Sequence, residues 1–519
     1  MKLKNLAKYA LMIAVATSSV ACDEWLSEEP SKSTKKQLET TEQLDALLGN
    51  YSLYVQEQCT PVYGTDDWGI DPSFYTAKSG GVYNATSQLP YILWADEVDD
   101  SRYSVWQAEY PKIYYANVAI EQAMGLKGSE EDKANLLAEG YFLRAYSMFN
   151  LAVAHTLYYT GNTGDELGLS LQTMTFEDSH SRATLAATWA QIEGDLQEAL
   201  KIKVPFNKGG RNRTWRATTA SVKAFAARYY LYRGDLTNAK YYAEEALKEY
   251  NTLGDYNTTM SYAGTKASYN INASTNPETV TTLYPAGYDI RLSGAANFGV
   301  WFDKEGIYLA RHCYSANWWF VPSQSLVDTY AIDVPGGDAQ NDLRFRYYFV
   351  EDFSLRTCSK DPAFRWYGVM VHYMESLDAG PSVAEMLLIK AECEARSGNS
   401  ATAMQLVNTL RKARMEAGVY QDLTASSKDD AIKKVLQERR REMFMSMRWY
   451  DLKRLNANDY AADDVTVVHE YFNYNAAAGT VLADQPKTFT LEPNSRHYAI
   501  PIPKTEIANA KGQLQQNVY

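Results

Sequence analysis

Two stretches of this chain carry the same spacing of small residues, and that spacing constrains the fold more than any other feature. Residues 220–248 read ASVKAFAARYYLYRGDLTNAKYYAEEALK, with Ala227, Tyr230, Gly234, Leu236, Ala239, Ala243, Ala246 and Leu247 in helical register. Residues 383–414 repeat the register with Ala391, Gly398, Ala403, Val407 and Leu410. Small side chains at this spacing let two antiparallel helices approach closely. Gly234 permits the turn between them, and Leu236 and Leu247 fill the seam.

The spacing is that of a tetratricopeptide helix-turn-helix. The two copies are far apart in sequence, so they read as scattered repeats and not as a tandem solenoid. Helical periodicity also runs through Thr41–Tyr54, Ser104–Met124, Leu136–Leu157 and Leu185–Ile202. Trp106, Tyr110, Ile113, Tyr114 and Ala119 form the stripe of the second of these. Pro111 interrupts it and predicts a kink or a late start. Residues 254–319 are rich in Asn, Ser, Thr and Gly. TVTTLYPA and GIYLARH suggest short strands there, and Asp459–Thr490 reads as loop. The expected fold is mostly α: a tetratricopeptide-like helical-repeat scaffold with long irregular loops and a few short strands.

The N-terminus has the layout of an export signal. Lys2, Lys4 and Lys8 form a positive region, and Tyr9–Val20 is a mostly apolar run. That run is well short of the ~20 residues that cross a bilayer as a helix. Ser19-Val20-Ala21 supplies small residues for cleavage, and Cys22 follows at once. This arrangement resembles a bacterial lipobox, in which the cysteine is acylated and becomes the first mature residue. Two or more acyl chains anchor a protein stably without embedding it. Asp23, Glu24, Glu28 and Glu29 resemble the sorting residues of surface-exposed lipoproteins, and residues 30–37 read as a polar tether.

Composition narrows the function classes. Net charge is −12 and no basic patch stands out, which gives nucleic-acid binding no support. Cys59, Cys313, Cys358 and Cys393 show no CxxC spacing, hence no zinc motif; a disulfide among the first three is left open. Cys393 sits in a helical pattern and is expected as a buried free thiol. The six histidines form no HExxH, and neither a GxSxG nor a P-loop is present. No EF-hand pattern occurs, so the sequence gives no cofactor and does not indicate calcium. Acidic pairs such as Asp99-Asp100 do not by themselves show the fixed separation that a glycosidase needs.

The C-terminal third completes the reading. AIKKVLQERRREMFMSMRWYDLKRL (431–455) and HYAIPIPKTEIANAKGQLQQNVY (497–519) resemble the SusD/RagB family. EMLLIKAECEARSGN (385–399), LVNTLRKAR (406–414), CDEWLSEEP (22–30), WQAEYPKIYYAN (106–117), VPSQSLVDTY (321–330) and NDLRFRYYF (341–349) fall in family order. Ser446-Met447 departs from the acidic residue and glycine common there. The resemblance implies an outer-membrane lipoprotein that faces the cell exterior and binds nutrient. It would sit as a lid over a SusC-like, TonB-dependent barrel and deliver an oligosaccharide to it. Peptide is the alternative ligand, as in the RagB-like branch, and a surface glycosidase or a ligand-free helical scaffold are more distant readings. Glu438, Arg439, Arg440, Glu442, Arg448, Asp451 and Arg454 look catalytic in isolation but are expected to hold helices together, and Gln515-Gln516-Asn517 to dock the C-terminus.

The implied carbohydrate-binding residues are loop aromatics with carboxylates beside them. They are Asp66, Asp67, Trp68, Tyr91, Trp94 and Asp96 from the N-terminal loops, and Trp301, Trp318 and Trp319 from the later ones. Flat rings would stack on sugar C–H faces, and the carboxylates would accept hydroxyl hydrogen bonds. Trp106 is expected in the core. The expected organisation is a signal peptide (1–21), a lipidated tether (22–40), an N-terminal helical region (41–253), an aromatic loop-rich ligand region (254–320) and a C-terminal family region (321–519).

Overall fold

A computed structural model describes residues 38–50, 53–54, 56–58, 60–69, 72, 88–99, 104–176, 179–259, 262–270, 279–285, 305–308, 312–314, 322–351, 367–369, 376–475 and 480–519. Cys22, the export signal, Trp301, Trp318, Trp319, Cys59 and Cys358 lie outside the described residues.

The main helices are α1 (Thr41–Leu48), α2 (Val105–Gln122), α3 (Glu130–His155), α4 (Leu185–Ala199), α5 (Thr219–Tyr232), α6 (Leu236–Glu249), α7 (Val383–Arg396), α8 (Ser400–Arg414), α9 (Lys428–Glu442), α10 (Arg448–Leu455) and α11 (Lys504–Asn509). Most start on a side chain that accepts from the first turn. Ser104 accepts from the Gln107 amide, Ser129 from Asp132, Thr184 from Ala187, Asp235 from Asn238 and Ser382 from Glu385. Thr218 and Ser221 form a reciprocal capping box on α5. Each such cap contributes about 1 kcal/mol. The α5–α6 and α7–α8 turns use Gly234 (φ 77°) and Gly398 (φ 87°), in the region that favours glycine.

Helices pack in antiparallel succession, α2 on α3, α3 on α4, α5 on α6 and α7 on α8. The two repeats that lie apart in sequence meet in space, because α7 packs on α6 as well as on α8 and α9. Ala391, Ala395, Ala403 and Ala431 are fully buried between α7, α8 and α9 with Val407 and Val435. Residues 250–382 therefore leave and re-enter one continuous helical layer.

Seven short strands are used below: β1 (Gln56–Gln58), β2 (Leu167–Ser170), β3 (Arg182–Thr184), β4 (His312–Tyr314), β5 (Ser376–Asp378), β6 (Val467–Asn475) and β7 (Thr480–Leu491). A small sheet has the order β1-β4-β5, with β1 parallel and β5 antiparallel to β4. TVTTLYPA does supply a strand, Thr279–Pro285, paired antiparallel with Tyr262–Asn270. Asp459–Thr490 is not all loop as expected, since β6 and β7 form a hairpin within it. Val467, His469 and Tyr471 point into the core while Val468 and Glu470 face out. That period-two alternation is the signature of a half-buried strand. Pro111 does not delay the start of α2, which runs from Val105 to Gln122 with Pro111 inside it.

The charged residues of the C-terminal region are buried in ion pairs that cross between elements. Arg344 binds Asp342 (2.7 Å), Glu438 (2.8 Å) and Glu442 (2.8 Å). Glu438 also holds Arg411 (3.0 Å) and Arg441 (2.7 Å). Arg454 pairs with Glu392 through both nitrogens of its fork (2.7 and 2.8 Å), and Arg439 with Asp451 (2.8 Å). Burial alone would raise the Glu392 and Glu438 carboxyls. The surrounding guanidiniums outweigh it and hold both well below the usual carboxylate range. Cys393 is buried and free, and burial pushes its thiol up to about 12.

Candidate functional site

Most of the described residues expected to bind sugar are enclosed by the protein itself. Trp68 is 2 % exposed and its ring meets Tyr63 edge-on at 5.5 Å. Tyr91 is buried beside it in the same core. Trp94 is buried, donates from Nε1 to the Gly64 carbonyl (3.1 Å) and stacks on His469 at 4.7 Å. None of these three rings offers a face to a ligand, which corrects the expectation for them. Asp66 and Asp67 are likewise committed. Arg448 binds both Asp66 oxygens (2.7 and 2.8 Å), and Asp67 accepts from Arg440 Nε (2.6 Å) and the Met445 amide (2.8 Å). Burial raises the Asp66 carboxyl, but Arg448 and Arg440 overcome it and hold it well below its ordinary value. These aspartates fasten the N-terminal loop to α9 and α10. Asp96 alone among the described members of the set is exposed, with His497 Nε2 at 2.9 Å; His497 in turn stacks on Tyr519.

A different surface gathers aromatic and polar groups around open space. A groove of about 380 Å³ lies between α2, the segment that follows β2, and α11 with its following turn. Trp106, Tyr110 and Tyr114 line it at successive turns of α2. Trp106 is 6 % exposed and closes the base, whereas Tyr114 is 44 % exposed. Gln107, Gln172, His180, Glu506 and Asn509 stand among the lining residues. Pro111 also lines it and has no amide hydrogen to give, so the Gln107 carbonyl lacks its helical i+4 donor.

One wall of the groove is set by buried charges. Arg144 forms a two-pronged pair with Asp195, 2.7 Å at each prong, and donates to Asn117 Oδ1 (3.0 Å) and the Thr173 carbonyl (2.9 Å). That bond fixes the Asn117 amide, whose nitrogen donates to the carbonyls of Gln172 (3.1 Å) and Met174 (2.9 Å). Glu121 accepts from the Thr175 amide (2.7 Å) and hydroxyl (2.6 Å). The loop so clamped presents Met174 and Phe176 to solvent, 53 % and 84 % exposed.

Comparison with known proteins identifies the architecture. Residues 383–519 match the model of the SusD family, and residues 24–231 match a model described as starch-binding, associating with outer membrane. The chain belongs to the SusD/RagB family. A SusD-like protein P2 of Formosa agariphila is 25 % identical over 453 residues, which is 79 % of each chain. A SusD superfamily protein of Bacteroides thetaiotaomicron has the same fold, with a TM-score of 0.60 at 16 % identity over 92 % of this chain and all (100 %) of that one. A laminarin-binding SusD-like protein superposes with a TM-score of 0.56 at 18 % identity, over 92 % and 99 % of the two chains.

In this SusD-family protein the groove was not foreseen. Tyr110 and Tyr114 are legible as part of a helical stripe, but the stripe reads as wholly inward. The available signal was the excess of rings: Ile113, Ala116 and Ala119 already supply the packed face of α2. The SusD-type C-terminus bounds the groove and is itself pinned. Asn517 Nδ2 donates to the carbonyls of His155 (3.2 Å), Ala499 (3.2 Å) and Ile500 (3.1 Å), and Arg182 donates to its Oδ1 (2.8 Å). Among the described residues, no cluster of His, Cys, Asp and Glu is arranged to hold a metal ion.

Proposed function

We propose that this chain is a surface-exposed lipoprotein, acylated at Cys22, that binds oligosaccharide and delivers it to a SusC-like, TonB-dependent transporter. The family identification carries the reading: separate models match the N-terminal helical region and the C-terminal region of one chain. The laminarin-binding relative supports a carbohydrate ligand, and the lipobox supports the anchor. The role is capture and transfer, with no chemical step assigned to the chain.

The test is a binding screen on the soluble form that starts at Asp23, by titration calorimetry against oligosaccharides and peptides. Saturable binding to a glycan class supports the reading; binding to peptides alone replaces it with a peptide-uptake role. Co-purification of full-length protein with a large outer-membrane barrel from its own host tests the delivery step. Recovery of the lipoprotein alone after mild detergent extraction and crosslinking would count against it.

A further inference from the structure

Resting on the oligosaccharide reading, we infer that the groove over α2 is a binding subsite for a neutral glycan, with sugar rings laid along Tyr110 and Tyr114. Its size falls within the ~300–1,000 Å³ of small-ligand pockets, which combine an apolar lining with a few placed polar groups. Tyr110 and Tyr114 lie one turn apart along the helix, about 6 Å of rise. The two rings therefore form a platform and not a single point of contact. Gln107 and Asn509 place amide groups along its rim, and each amide both donates and accepts, as sugar hydroxyls do. The Gln172 amide nitrogen is given to Ser170 Oγ (3.0 Å) and the Ser179 carbonyl (2.9 Å), which leaves its oxygen to accept. Among the described lining residues Glu506 is the sole carboxylate and none is lysine or arginine, which favours an uncharged ligand.

The hydrogen-bond pattern of the wall argues against an extended peptide. A peptide that docks by its backbone needs an edge of exposed carbonyls and amides. Here the Ser170 carbonyl already accepts from Tyr110 (2.9 Å), those of Gln172 and Met174 from Asn117, and that of Thr173 from Arg144. The Thr175 amide is given to Glu121. What the groove leaves for a ligand is the side-chain amides of Gln107 and Asn509, the Gln172 oxygen and aromatic faces. The wall is also fixed before any ligand arrives, because the Arg144–Asp195 pair and Asn117 hold its backbone. Such preorganisation limits the ordering cost of binding.

The soluble chain would be titrated with neutral glucan oligosaccharides of β-1,3 and α-1,4 linkage. Tyr114→Ala changes an exposed helix position. It is expected to weaken binding about tenfold, equivalent to about 1.4 kcal/mol. Asn509→Trp, which fills the groove from its rim, is expected to abolish binding while Tm is preserved. Unchanged glycan affinity in both variants overturns the groove assignment and leaves the glycan reading standing. A chain that binds none of the glycans in its unsubstituted form overturns that reading, and the subsite with it.

Discussion

At the scale of single residues, the structure spends polar groups on position more than on chemistry. Asn117 is the clearest instance, since one amide fixes two carbonyls of the groove wall. Asn117→Ala leaves Arg144 Nη1 short of a partner and frees the Gln172 and Met174 carbonyls. The expected cost is about 1–3 kcal/mol in urea denaturation, with faster amide exchange at Thr175. Asp67 is a second instance. It is 1 % exposed, and Arg440→Ala would leave its carboxylate facing a lost partner, destabilising the chain by about 3 kcal/mol. His155 adds a dependence on pH. Burial against Trp106 pulls its pKa down to about 4, while its Nδ1 hydrogen bond to the Ile500 carbonyl (3.0 Å) opposes the shift. A depressed imidazole favours the neutral form, so its contribution is complete above the unfolded value near 6.5. It is lost as pH falls from there to about 4, on the order of 3 kcal/mol. The depressed carboxyls of Asp66, Glu392 and Glu438 act in the same direction at lower pH, below the unfolded value of about 4. Chemical denaturation across pH 7 to 4 should show the first loss, and His155→Gln should flatten it above pH 4.5.

At the scale of elements, close helix approach is the controlling feature. Ala391 is fully buried where α7 meets α8 and α9. Ala391→Leu inserts three extra carbons into that seam and should cost about 1–3 kcal/mol by overpacking, visible as a lowered urea midpoint. The helical elements were legible in the sequence because alanine, glycine and leucine recur at a spacing that only helix pairs use. The β6–β7 hairpin was not, although VVHEYF alternates, because the polar residues around it read as loop. The candidate site fared worse for a physical reason. Trp68, Tyr91 and Trp94 sit on short, irregular segments, and sequence periodicity cannot separate a ring that faces solvent from one folded under its own loop. The Asp66 and Asp67 partners, Arg440 and Arg448, lie in the distant C-terminal region, so no local pattern marks those aspartates as ion-paired. Conversely, the charged run of α9 and α10 is expected to hold helices together from the family resemblance, and its buried pairs agree with that reading.

At the scale of the whole molecule, the last residues tie distant parts together. Asn517 and Tyr519 both donate to the Ala499 carbonyl, and Arg182 of β3 reaches the tail. Removal of residues 515–519 should loosen β3, the 499–502 segment and the end of α3 together. The expected loss is about 3 kcal/mol, from several partly buried hydrogen bonds at about 1 kcal/mol each, read as a lower Tm in calorimetry. The seating of α7 on α6 has another consequence, for how such a chain can vary. Both ends of residues 250–382 are fastened to adjacent helices, and Arg344 within them is held to Glu438 and Glu442 of α9, so the stretches between these anchors are closed loops. Doubling the length of a closed loop adds only about 0.6 kcal/mol of entropic cost. Lineages of such chains can therefore lengthen or shorten those stretches at little thermodynamic expense while Arg344 and the helical layer beneath keep their register.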